Sequence, residues 1–217
     1  MPGLDLTTII ANVPALLIGF AFHEYAHAYV ADRLGDPTPR SQGRLTMNPF
    51  AHLDLFGTLM AVFFQFGWAK PVQTHPQYYK GNPTRGNMLV AIAGPFMNLC
   101  IAFIGMVVWV ILLHSFGNSS WMMILSKIMM ALVLMNLGLG VFNLLPIPPL
   151  DGFSILGWIL PDRFSNFLHI LEQYGMVILM LVLFTNILGS VLFPLVGALY
   201  SLYQKGAIAL LSPILGF

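Results

Sequence analysis

The stretch VPALLIGFAFHEYAHAYVA, residues 13–31, decides how this chain is read. It is long enough to cross about 30 Å of hydrocarbon as a helix, yet it carries His23, Glu24 and His27 among apolar neighbours. Ionisable groups at that depth are costly unless something compensates them. On a helix, His23 and His27 project from successive turns and can share one metal ion. Glu24, next to the first histidine, can take a proton from water beside that metal. The HExxH spacing therefore points to one zinc ion and to hydrolysis, with His23 and His27 as ligands and Glu24 as general base.

The rest of the chain sets the surroundings of that motif. Its 217 residues are 58% hydrophobic and 8% charged, against roughly 25% charged in soluble domains, too few to cover a water-soluble surface. Further apolar stretches at 88–113, 121–145 and 174–203 are each long enough to span a bilayer, whereas 53–67 is too short to span alone. The expected fold is an all-α polytopic membrane protein, a bundle of about 4–6 transmembrane helices forming one domain over residues 1–217. No basic residue precedes the first stretch, and cleavage after it would discard the HExxH, so a signal peptide is rejected.

The net charge of +1 argues against a nucleic-acid partner, and the bilayer is the partner that composition demands. Basic residues are one-sided. Arg33, Arg40 and Arg44 follow the first span, Lys70, Lys80 and Arg85 precede the second, and Arg163 lies in a later loop, leaving Lys127 and Lys205 apart. If 53–67 dips in and returns, the first seven share one face, which the positive-inside rule assigns to the cytoplasm. The amino terminus is then outside and the metal submerged near the cytoplasmic face. Cys100 is the only cysteine, so zinc ligands must be His, Asp or Glu.

Asn12 and Pro14 mark the expected start of the first helix, which runs to about Leu34 before Gly35, Pro37 and Pro39 stop it. Residues 40–52 read as a polar surface segment. Alternation through Trp68, Ala69, Lys70, Pro71 and Val72 fits a short strand or hairpin at the membrane surface, with Pro71 placing it at an edge. The second spanning helix is expected to open around AIAGPFMNL, residues 91–99. After the third, Pro146, Pro148 and Pro149 remove three backbone donors within four residues, so the chain breaks inside the membrane.

A catalytic zinc normally takes three protein ligands, and HExxH supplies two. Asp32 and Asp36 follow the same helix too closely to fold back, Asp54 and Asp162 adjoin polar loops, and Glu172 precedes the last apolar stretch. Asp151 follows the proline-rich break directly, at membrane depth, and needs a compensating partner. It is the candidate third ligand; the competing reading has it cap a helix beginning at Gly152.

Together His23, Glu24 and His27 and the run Asn143-Leu144-Leu145-Pro146-Ile147-Pro148-Pro149-Leu150-Asp151-Gly152 resemble the HExxH and NxxPxPxLDG motifs of the site-2 protease family of intramembrane zinc metalloproteases. Gly94-Pro95 with Asn98 is similar to its GPxxN, and GRLTMNPFAHLD (43–54) and GWAKPV (67–72) are similar to compact prokaryotic members without PDZ or CBS domains. The resemblance implies zinc binding by His23, His27 and Asp151, Glu24 as general base, and Asn143 positioning substrate or stabilising the oxyanion. Asn98 is a further polar candidate for that role. An interhelical hydrogen bond is the plainer reading of Asn143.

The implied substrate is a transmembrane helix of another membrane protein in a prokaryotic plasma membrane, cut to release a domain or to clear a signal-peptide remnant. Such a helix must unwind before its carbonyls can be attacked, and the 68–72 strand would receive it; a mere connecting loop is the alternative. An intramembrane metal-binding transporter or channel is the rival function, although a carboxylate directly after the first ligand favours hydrolysis. No loop can hold an accessory domain, so restraint is expected from the substrate, a prior cleavage, a regulatory membrane protein or a gate formed by 53–80 or the last apolar stretch. His52 is expected to make a helix-start or interfacial hydrogen bond, and His75, His114 and His169 are assigned no chemistry.

Overall fold

The computed structural model describes residues 6–64, 67–117, 119–185 and 187–216. The elements are α1 (Leu6–Leu34), α2 (Thr38–Ser41), α3 (Leu55–Phe64), α4 (Pro83–Phe116), α5 (Met122–Asn143), α6 (Asp151–Ile159), α7 (Ser165–Phe184) and α8 (Ile187–Leu215). Among the described residues three helices are long and apolar enough to cross a membrane, Pro83–Phe116, Met122–Asn143 and Asp162–Phe184. The 29 residues of α1 and of α8 also exceed the roughly 20 that a span requires. The all-helical polytopic membrane fold expected from composition is borne out. The amino-terminal residues 1–5, expected outside, lie beyond the described residues.

Three helix boundaries differ from expectation. Pro14 lies inside α1 instead of at its start, on an exposed face, because in apolar surroundings a helix keeps its remaining backbone bonds when one is removed. The second spanning helix opens at Pro83, well before residue 91, where Asn82 Oδ1 accepts from Arg85 N at 3.0 Å and Pro83 occupies a first-turn position that needs no donor. Gly94 and Pro95 thus fall within its span. The stretch 174–203 is two helices: α7 ends at Phe184, and Thr185 turns extended at ψ 142° while its hydroxyl donates to Val182 O. By contrast α1 stops at Leu34 as expected, with Gly35 at φ +111°. The proline run also breaks the chain between α5 and α6 as expected.

Helices α1, α4 and α5 pack on one another, α6 lies along α4, and α8 covers α4 and α5. Ala102 and Met106 of α4, Val133 and Leu137 of α5 and Ala207 of α8 are buried where those three meet. The alanines let the backbones approach, which matters because lipid offers no hydrophobic drive for helix association. Large apolar side chains such as Ile104, Met123, Phe193 and Ile214 point outward, as a lipid-facing surface requires.

At one end of this bundle, residues 35–64 and 67–82 form a cap. The ten residues of α3 rise about 15 Å, half a bilayer, in keeping with a segment that does not span alone. The strand or hairpin expected at Trp68–Val72 reduces to a single antiparallel bridge between Leu53 and Ala69; no strand forms among the described residues. Pro71 has no N–H, and the Arg44 side chain takes up neighbouring carbonyls. Arg44 donates to Ala51 O and, at 2.9 Å each, to Lys70 O and Pro71 O, while Lys70 N donates to His52 O at 2.8 Å. Arg44 and His52 are consequently buried, a departure from the polar surface expected of 40–52. His52 Nε2 lies 2.8 Å from Thr46 O, so this ring holds the loop together. Asp36, fully buried, anchors the far end by accepting from Thr38 N and His75 N.

Candidate metal centre

One helical turn separates His23 from His27, and their Nε2 atoms lie 2.9 Å apart. His27 Nδ1 sits 2.7 Å from Val90 O, a group that only accepts, so the ring hydrogen is on Nδ1 and Nε2 carries a lone pair. His23 Nδ1 lies 2.6 Å from Asn98 Oδ1, which leaves its Nε2 lone pair facing the same point. Asp151 Oδ2 completes the group at 3.2 Å from His23 Nε2 and 3.4 Å from His27 Nε2. That oxygen is buried and in hydrogen-bonding geometry with no donor. Three lone pairs converging within 4.8 Å of one another repel unless a cation sits between them. The donor set of two imidazoles and one carboxylate fits zinc.

Each candidate ligand is placed by a local feature of the sequence. Gly94 lets α4 pass over the imidazoles: a Cβ there would come within 2.6 Å of His23 Nε2 and closer still to His27 Nε2. Leu150, not Asp151, is the N-cap of α6, so Asp151 is its first residue and its carboxylate faces the histidines; the capping alternative does not hold. Glu24, 8% exposed, accepts from Val72 N at 2.8 Å, which ties the 67–75 segment to the site. His27 precedes the end of α1 by seven residues, or about 10 Å, and that end carries Arg33.

The other predicted residues separate. Asn98 is fully buried, with its oxygen toward His23 and its amide donating to Gly19 O at 3.1 Å and Asn136 Oδ1 at 2.9 Å; both hydrogens are taken, so it offers none to a substrate. Asn143 donates to Leu139 O of its own helix, not across helices. Of residues 68–72, Val72 touches Glu24 through its backbone, and Lys70 and Pro71 meet Arg44. Sequence reasoning missed Arg44 and Asn136. Asn136 had a readable signal, an amide in an apolar span seven residues before Asn143, since such amides need partners in lipid.

A helical membrane bundle holding a His-His-Asp donor set, its two histidines buried, beside a carboxylate defines a metal-dependent hydrolase class. The family model described as Peptidase family M50 matches residues 11–119 and 110–184, and the chain belongs to that family. The resemblance to site-2 proteases is thereby borne out. The chain is 40% identical to "Putative zinc metalloprotease YwhC" of Bacillus subtilis strain 168 over 94% of its own length and 93% of the relative's. Relatives bearing the same description are Rip2 of Mycolicibacterium smegmatis, 31% identical over 86% and 71% of the two chains, and MJ0611 of Methanocaldococcus jannaschii, 31% identical over 72% and 74%. No solved structure matches at comparable significance.

Proposed function

We propose that this chain is an intramembrane zinc endopeptidase that hydrolyses a peptide bond within or near a transmembrane segment of another membrane protein. The observation that carries this reading is the convergence of His23, His27 and Asp151 inside a bundle of membrane-spanning length. His23, His27 and Asp151 would hold a zinc ion, which would act as a Lewis acid and bring the pKa of water down toward about 7. Glu24 accepts the proton of the attacking water and returns it to the leaving amine nitrogen. Val72 N–H fixes Glu24 Oε2, leaving the other carboxylate oxygen for that proton. Asn143 keeps one amide hydrogen, beyond the one given to Leu139 O, for the substrate carbonyl.

The extended segment 67–75 lies against Glu24 and is braced by Arg44, a placement suited to receiving an unwound stretch of substrate. The positive-inside rule, applied to Arg33, Arg40, Arg44, Lys70, Lys80, Arg85 and Arg163, supports a cytoplasmic active-site end in a prokaryotic plasma membrane, with the amino terminus outside.

Zinc content and cleavage of a reconstituted transmembrane substrate, measured on the same preparations, test this reading. Glu24→Gln should keep zinc and lose cleavage by at least about 100-fold, whereas His23→Ala and Asp151→Ala should lose both. Unimpaired cleavage by Glu24→Gln would sink the mechanism. Selective metal flux that the same variant leaves intact would assign the site to transport.

A further inference from the structure

We propose that Asn136, on α5, is a positioning residue for His23, acting through Asn98, a role that presupposes the zinc site proposed above. A neutral imidazole has one hydrogen and two nitrogens, and only the tautomer with hydrogen on Nδ1 offers Nε2 to a metal. Asn98 faces that Nδ1 at 2.6 Å. An amide can be turned end for end at little cost in shape. Turned one way its oxygen accepts from Nδ1–H; turned the other its nitrogen donates to a bare Nδ1 and drives the hydrogen to Nε2, closing the metal face.

What prevents the second arrangement lies behind Asn98. Its Nδ2 lies 3.1 Å from Gly19 O and 2.9 Å from Asn136 Oδ1. Gly19 O can only accept. The amide of Asn136 is itself reversible in principle, but its Nδ2 lies 2.9 Å from Leu132 O, again a pure acceptor, so its oxygen end must face Asn98. Polarity therefore runs one way: His23 donates to Asn98, Asn98 to Asn136, and Asn136 to the backbone of α5. Asn98 and Asn136 are both 0% exposed, so water does not substitute for either link. Gly19 makes the three-helix junction close enough, since a Cβ there would lie 3.3 Å from Asn136 Oδ1. A side chain that touches neither metal nor substrate thus selects the tautomer of a ligand on another helix.

Zinc affinity separates this role from packing. Threonine and valine have nearly the same shape, but only threonine accepts from Asn98 while donating to a carbonyl one turn back. Zinc dissociation constants by chelator competition on the purified full chain should be weakened about 10- to 100-fold in Asn136→Val and held within about threefold in Asn136→Thr. In zinc-free protein labelled with 15N-histidine, His23 should be the Nδ1–H tautomer in the parent and mixed in Asn136→Val. Parental zinc affinity in Asn136→Val, or equal losses in both variants, would overturn the proposal. If Asn136→Val does not fold, Asn136→Ser against Asn136→Ala makes the same comparison with the same expected difference. A parent chain that binds no zinc would remove the metal site itself, a result distinct from failure of the relay.

Discussion

Gly94 is where α4 crosses the two imidazoles, and it has no room for a methyl group because the nearest atoms are the Nε2 atoms of His23 and His27. These rings are fixed from behind by Asn98 and Val90 O, so they cannot step aside. Gly94→Ala should therefore reduce zinc affinity by at least about tenfold, although alanine is favoured over glycine in a helix by about 1 kcal/mol. Zinc titration beside thermal melts of both chains in chelator checks this: affinity falls while the zinc-free variant still unfolds cooperatively. Arg44 acts at a distance from the metal. Arg44→Ala removes the side chain that donates to the carbonyls of Ala51, Lys70 and Pro71, at about 0.5–1.5 kcal/mol for each hydrogen bond lost at these partly exposed groups. Cleavage should fall about tenfold or more with zinc retained, and Arg44→Lys should restore little, because a lysine lacks the planar fork that serves several acceptors. Metal content and cleavage rate measured together decide it.

The element scale is governed by α6, a nine-residue helix joined to the bundle by a proline-broken segment and facing α1 through Asp151. When zinc is removed, the carboxylate and two imidazoles lose their shared partner. Chelation should raise amide exchange across 144–160 more than in the centre of α4, and lower stability by about 2.7 kcal/mol relative to zinc at 100 times its dissociation constant. Equal exchange in both regions would show that α6 is held independently of the metal. Sequence reading succeeded here because three prolines in four residues leave a helix no choice. It failed at 174–203, where a run of apolar residues hid the turn at Thr185, and at 68–72, where alternation suggested a ladder but Arg44, His52 and Glu24 take the backbone groups. Alternation records which residues face which way, not what their peptide groups will meet.

For the whole molecule, the distribution of charge predicts an orientation. In a Cys100→Ser background, a cysteine at exposed Gln42 should react with a membrane-impermeant maleimide only from the cytoplasmic side, and one at exposed Ser120 only from outside. The reverse pattern would invert the assigned topology. By itself the sequence determined the membrane class and the break before Asp151 and nominated three candidate donors, because composition, proline content and helical periodicity are local properties that no distant contact revises. Only the tertiary structure decided that Asn98 backs His23 and that Asn136 backs Asn98. The same holds for Arg44, which braces the segment gripping Glu24. Those links join residues of five separate segments, and a hydrogen bond's partner is set by where helices cross, which spacing along one helix does not encode.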